Sequence, residues 1–215
     1  MKSRIFKNME WMILISALLL SIVGFVALYS ATQSSGFDEL KKQVMWFGVS
    51  IVIMLVIMLV DYDVWAKLSP VFYGISIILL IAVLFTKARN GASSWFKIGA
   101  FTLQPGELAK VAVILFTSST IVKVQERGRF EINVFWKLCV TLLTVIFPVF
   151  LIILQPDYGT AAAYLVSLVL MLYVSGIDKK YIIVASILVV IALPLAYFFV
   201  LPNHAKTRID IFLNP

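Results

Sequence analysis

Four stretches hold the residues whose types and spacing could do chemistry. The first, Gln104-Pro105-Gly106-Glu107, leads into an apolar run that contains Lys110. Proline at a first helical position with an acid in the first turn is an ordinary helix start. An acid and a lysine three residues apart share a helix face and can pair. Lys110 opens a run, LAKVAVILF, that otherwise suits lipid. Two readings stand. Lys110 snorkels outward, or it forms a buried ion pair with Glu107 that shapes a polar cavity. The second stretch, Gln155-Pro156-Asp157-Tyr158-Gly159-Thr160, repeats the order of glutamine, proline and acid. Asp157 suits the positive end of the helix it opens and reads as a capping acid in a tight hairpin. If the two helix starts converge, they attract anions such as phosphate. With two acids present, a cavity of cations balanced by acids fits better than a bare anion site.

The third stretch is 90–110, NGASSWFKIGAFTLQPGELAK, with Gly91, Gly99 and Gly106 among apolar Trp95, Phe96, Ile98, Phe101 and Leu103. It is long for a connection between spans, and it can lie in the interface or dip toward the membrane. Trp95 also fits as a passive interfacial anchor. The fourth is the tail 202–215, PNHAKTRIDIFLNP, which carries Lys206 and Arg208 beside Ile209, Ile211, Phe212 and Leu213.

The elements that must position these residues follow from composition. The chain has 215 residues, 62% hydrophobic and 13% charged, with a mean hydropathy of +1.02. A soluble domain is about 45–50% apolar and about 25% charged. A soluble enzyme, a disordered tail and a disulfide scaffold are therefore excluded, and an all-α polytopic membrane protein remains. Seven apolar runs, at about 11–31, 44–60, 68–85, 108–122, 138–154, 158–174 and 181–201, are expected to be helical, because lipid leaves no partner for unpaired backbone groups. The first run follows Lys2, Arg4 and Lys7 and is too long for a cleaved leader. Trp11, Trp46, Trp65 and Trp136 sit at run ends as belt anchors, and Pro148 and Pro194 are expected to kink their spans.

With the N-terminus inside, ten lysines and arginines fall on inner segments and seven on outer ones. The outer set is Lys41, Lys42, Lys87, Arg89, Lys97, Lys206 and Arg208, enough to suggest work with an anion. The net charge of +7 is spread over many loops, so nucleic acid is not an expected partner and anionic lipid contact is. Cys139 is the single cysteine and His204 the single histidine, which excludes an intrachain disulfide and a histidine-based metal cluster or triad.

GASSWFKIG, LQPGELAK, QPDYGTA and the closing RIDIFLNP, in this order, resemble the shape, elongation, division and sporulation proteins of the RodA/FtsW family. The resemblance covers the whole chain. Lys42-Gln43 and Asp61-Tyr62 look more like the RodA (elongation) branch than the FtsW (division) branch. What it implies is a ten-span protein of the bacterial plasma membrane with a cytoplasmic N-terminus and its active face outside. It implies a peptidoglycan glycosyltransferase that polymerises lipid II for cell wall elongation and cell shape. The expected partners are lipid II, a class B penicillin-binding protein transpeptidase and other elongation-complex membrane proteins. Residues 1–215 would be a single transmembrane domain, incomplete at its C-terminus, with outer loop 86–107 and outer tail 202–215 contributing to the site.

Residue by residue, Trp95 matches the sensitive tryptophan of the GA-x-x-W motif, Glu107 and Lys110 the acid–lysine pair, Asp157 the QPD aspartate, and Arg208 the arginine before FL-x-P. The family's catalytic aspartate follows that motif, so the resemblance places it beyond Pro215 and implies that this chain alone is inactive. Ser94 stands where the family often has arginine, which puts one substrate-facing charge in doubt; Lys97 is the candidate to replace it. Gly106 stands for a usual serine, a change expected to matter little. The chemistry fits the residue types. Outer cations steady the leaving pyrophosphate of a lipid-linked sugar, and a carboxylate takes the proton of the attacking sugar hydroxyl. No cofactor is evident, and a divalent cation is left open. Two other readings are a lipid II flippase, with the ion pair gating a path, and a non-catalytic fragment that only binds the transpeptidase.

Overall fold

A computed structural model of the chain describes residues 10–33, 36–86, 94–98, 101–195 and 206–207. Among the described residues there are seven helices and one short hairpin: α1 (Trp11–Thr32), α2 (Asp38–Met58), α3 (Tyr62–Leu84), β1 (Phe96–Ile98), β2 (Phe101–Leu103), α4 (Pro105–Val124), α5 (Phe135–Leu154), α6 (Tyr158–Ser175) and α7 (Lys179–Leu195). A 3-10 helix, Arg129–Asn133, precedes α5. The helices α1, α2, α3, α5 and α6 are long and apolar enough to cross a membrane. The chain is a polytopic helical membrane protein, as its composition requires. α4 carries Glu107, Lys110 and Lys123, and α7 is described over 17 residues; neither reaches the same length and apolarity.

Two helices start six residues before their apolar runs. Residues 38–43, which read as connecting loop, form the first turns of α2. Asp38 and Glu39 sit at its positive end, and each pairs one turn on, with Lys41 (3.4 Å) and Lys42 (3.0 Å). α3 likewise begins at Tyr62, ahead of the run at 68. The hairpin was not foreseen. β1 and β2 pair antiparallel, Phe96 with Leu103, Lys97 with Thr102 and Ile98 with Phe101.

The chain forms two compact units, residues 1–64 and 65–215. In the first, α1 and α2 meet through an edge-on Phe25–Phe47 pair (centroids 5.3 Å) and a stacked Tyr29–Phe37 pair (5.4 Å). Serines on these helices donate back to carbonyls four residues earlier: Ser16 to Met12, Ser21 to Ala17 and Ser50 to Trp46. Their hydroxyls thus need no outside partner.

In the second unit, α4, α5 and α6 pack around a core with Leu80 and Val83 of α3. The buried positions recur every three or four residues, as in Thr160, Ala161, Tyr164, Leu168 and Leu172 of α6. α4 meets α5 through a buried hydroxyl pair, Thr117 and Thr144 (2.8 Å), and Thr144 also donates to Thr141 O. α3 meets α4 through Ser69 and Ser119 (3.2 Å) and the Tyr73–Phe116 rings (4.5 Å). Small polar side chains are the usual glue between helices in lipid. α5 continues through Pro148.

At the far end of α6, Gly176 takes φ +90° and Ile177 N donates to Leu172 O, ending the helix in a left-handed cap. The loop after α4 holds that cap. Gln125 Nε2 donates to Ser175 O (2.7 Å), an Arg129 guanidinium nitrogen to Val174 O (3.2 Å), and Asp178 N to Asn133 Oδ1 (2.8 Å). Lys137 donates to Glu131 (2.7 Å) and to Val124 O (3.2 Å). Its hydrogen bond, and then its charge, hold the Glu131 carboxyl below the usual carboxylate range.

A Cβ on Gly176 would lie 2.7 Å from Arg129 Nε, and the backbone there disfavours any L side chain. Gly176→Ala is expected to cost about 1–2 kcal/mol from the left-handed conformation alone. Gly48→Ala, in open space within α2, is expected to be neutral or slightly stabilising. Unfolding curves in detergent read both. Because the folded Glu131 pKa is depressed, its contribution is present above the ordinary glutamate value of about 4.3 and is lost as pH falls through the lowered value. Wild type should therefore be more stable than Glu131→Gln at pH 7, and the gap should close in acid.

Candidate functional site

The two Gln-Pro segments meet. Gln104 is the N-cap residue of α4, yet its side chain makes no bond to its own helix. Its Nε2 instead donates to Asp157 Oδ2 (2.5 Å) and to Thr160 Oγ1 (3.3 Å). Asp157 is the N-cap residue of α6, and its Oδ1 accepts from Thr160 N (3.2 Å). Such a cap contributes about 0.5–2 kcal/mol. Both Asp157 oxygens are thus engaged in joining two helix starts. Tyr164, one turn after Thr160 and buried, donates to Gly106 O (2.7 Å) and closes the same seam from the α6 side.

Glu107 and Lys110 pair as their spacing requires. Lys110 Nζ lies 2.9 and 3.0 Å from the two Glu107 oxygens. The pair is not buried: the Glu107 side chain is 56% exposed and that of Lys110 25%. The ion-pair reading holds, but its burial within this chain does not. A helix end gives the pair room to sit near the surface.

The loop residues divide by environment. Ser94 is buried and donates to Gln155 O (3.2 Å). That position therefore faces the turn before α6, and is not an exposed place for a charge. Trp95 next to it is 40% exposed. Lys97 is exposed on β1, opposite in alternation to the half-buried Phe96. Arg208 lies outside the described residues, as do 87–93 and 99–100 of loop 86–107 and most of tail 202–215. Among the described residues, no three His, Cys, Asp or Glu side chains form a set that could hold a metal ion.

Sequence reasoning weighed the acids of the two Gln-Pro segments and missed the glutamines. Gln155 is fully buried, and its Nε2 donates to Leu80 O of α3 (3.1 Å). The repeated glutamine was the available signal. For the hairpin it was a pair of three-residue runs, FKI and FTL, flanking Gly99-Ala100.

With this geometry in place, the chain can be compared with known proteins. The family model FTSW_RODA_SPOVE, described as cell cycle protein, matches residues 10–215. The chain belongs to that family. It is 33% identical, over 96% of its length, to a probable peptidoglycan glycosyltransferase FtsW of Geobacter metallireducens, and covers 56% of that protein. It is 28% identical to the peptidoglycan glycosyltransferase RodA of Treponema pallidum, over 96% of this chain and 47% of that one. Among solved structures it is similar to a chain of a peptidoglycan synthase complex described for its coordination of polymerization and crosslinking. The TM-score is 0.78 at 26% identity, covering 97% of this chain and 60% of that chain. The chain thus spans about half the length of the curated relatives it matches. Relatives named for FtsW and for RodA both match, so the FtsW/RodA family is established without a choice of branch.

Gly106 matters more than its sequence suggested. A Cβ there would lie 3.2 Å from Thr160 Cγ2. Thr160 cannot easily turn away, since its N–H and hydroxyl are both engaged. Gly106→Ala is expected to cost about 1–3 kcal/mol as overpacking. Thr160→Ser removes the opposing methyl and keeps the hydroxyl, so the double variant should recover most of the loss in a double-mutant unfolding cycle.

Proposed function

We propose that this FtsW/RodA family member is part of a peptidoglycan glycosyltransferase that polymerises lipid II at the outer face of the bacterial plasma membrane. The carrying observation is the Gln104–Asp157 junction (2.5 Å). It joins two helix starts beside a hairpin that presents Trp95 and Lys97, with the Glu107–Lys110 pair in the first turn of α4. Helix starts and cations suit a pyrophosphate-bearing donor. The names of the relatives support glycosyl transfer.

Within this reading Trp95, Lys97, Lys110 and Arg208 face the lipid-linked sugar diphosphate. Glu107 holds Lys110 in place, and Asp157 keeps the two helices in register. In the family pattern the proton-accepting aspartate comes after the motif that RIDIFLNP resembles. The N-terminus is cytoplasmic, residues 1–215 are one transmembrane domain, and the segments 86–107 and 202–215 share the outer face. The partner is a class B penicillin-binding protein transpeptidase, in keeping with the synthase complex that the fold resembles. The branch is elongation, on Lys42-Gln43 and Asp61-Tyr62.

Purified active protein should polymerise labelled lipid II into glycan strands on a gel. Lys110→Ala should abolish this. Lys42→Ala, which breaks only an exposed pair with Glu39, should not. Equal tolerance of both would return Lys110 to a snorkelling role. Transport of labelled lipid II across vesicles without polymer would replace the proposal with a flippase.

A further inference from the structure

Residues 94–104 are fastened at both ends to one three-residue turn. At the entrance Ser94 Oγ donates to Gln155 O (3.2 Å). At the exit Gln104 Nε2 donates to Asp157 Oδ2 (2.5 Å). The turn in turn is tied to α3 by Gln155 Nε2 on Leu80 O (3.1 Å). Gln155 is fully buried, and its Oε1 has no hydrogen-bond partner.

An unpaired buried acceptor costs stability. An apolar side chain of similar length would fill the space beside Leu80 without that cost. What it could not do is bond α3 to the turn that receives Ser94. A residue that serves packing poorly and linkage well has a positional task. We propose that Gln155 is a positioning residue: through Ser94 it fixes where Trp95 and Lys97 stand relative to Asp157. The link runs from a rigid helix (Leu80), through the buried amide, to the backbone carbonyl of Gln155, to the Ser94 hydroxyl, and so to the adjacent Trp95. Its kinetic consequence rests on the function proposed above; its structural core does not.

The first test uses the chain in lipid nanodiscs with Trp95 as its sole tryptophan, Trp11, Trp46, Trp65 and Trp136 being changed to Phe. Ser94→Ala and Gln155→Met are each expected to shift the Trp95 emission maximum and raise its quenching by acrylamide. Ser94→Thr keeps the hydroxyl and is expected to stay closer to the parent than Ser94→Ala does. The unfolding midpoint of Gln155→Met should be unchanged or higher, because the unpaired acceptor is gone. A mere packing role predicts a lower midpoint with Trp95 unmoved. The proposal is overturned if folded Ser94→Ala leaves emission and quenching at parent values, or if Ser94→Thr changes them as much as Ser94→Ala does. Should Gln155→Met not fold, the two Ser94 variants decide alone. The second test is kinetic. In an active preparation, Ser94→Ala should lower kcat for lipid II polymerisation by about 10- to 100-fold, as expected for displacement of a contact residue by about an ångström. If the parent itself forms no polymer, the proposed function fails while the fluorescence result still judges the positioning role.

Discussion

The bond between Gln104 and Asp157 is the one on which the architecture at the starts of α4 and α6 turns. It lets one carboxylate serve two helices, capping α6 through Thr160 N and holding the start of α4 through the glutamine amide. Around it the tolerances are tight. Gly106 leaves room for the Thr160 methyl, and Tyr164 secures the Gly106 carbonyl. Remove the carboxylate and α6 loses its cap, the glutamine loses an acceptor, and the hairpin loses its exit anchor together. That economy explains why the segment 155–157 is so short. Gln155 and Asp157 are both already committed, which leaves little slack for a longer loop.

The opposite end of the α4–α6 bundle is secured by other means. There the chain uses a loop, not a shared cap. Gln125 and Arg129 take the last carbonyls of α6, and Asn133 takes the backbone N–H of Asp178 ahead of α7. These carbonyls are the groups a helix end leaves unpaired. Between the two ends, the hydroxyl pair of Thr117 and Thr144 is the chief polar contact joining α4 to α5. Both ends are therefore closed by polar bonds, while the middle is left to shape and a few hydroxyls. This is the division expected where lipid gives no hydrophobic reason for helices to associate.

The helices were legible because lipid leaves the backbone one spanning solution, so apolar runs located all seven of those among the described residues. Their starts were less legible. Asp38, Glu39, Lys41 and Lys42 look like loop by hydropathy, yet they make a good first turn by charge. The hairpin was missed because three-residue strands carry little periodic signal, and an interfacial anchor accounts for the same aromatic residues. In the site, the Glu107–Lys110 pair followed from spacing, while its exposure could not, since spacing does not say what covers a helix face. Asp157 as a cap was readable from its place before a helix. Its bond to Gln104, 53 positions away, was not. Neither was the burial of Gln155 and Ser94, because polar residues between apolar runs read as solvated until the fold encloses them.

The serines of α1 and α2 carry a wider consequence. Ser16, Ser21 and Ser50 each return their hydroxyl proton to a carbonyl one turn back. Seen from the acyl chains, such a serine is a slightly enlarged alanine. The lipid meets carbon and a spent oxygen, and the helix can carry the residue on any face. A serine-to-alanine exchange there changes the letter and hardly the surface. The same exchange at Ser94, whose proton crosses to another segment, would unfasten a seam.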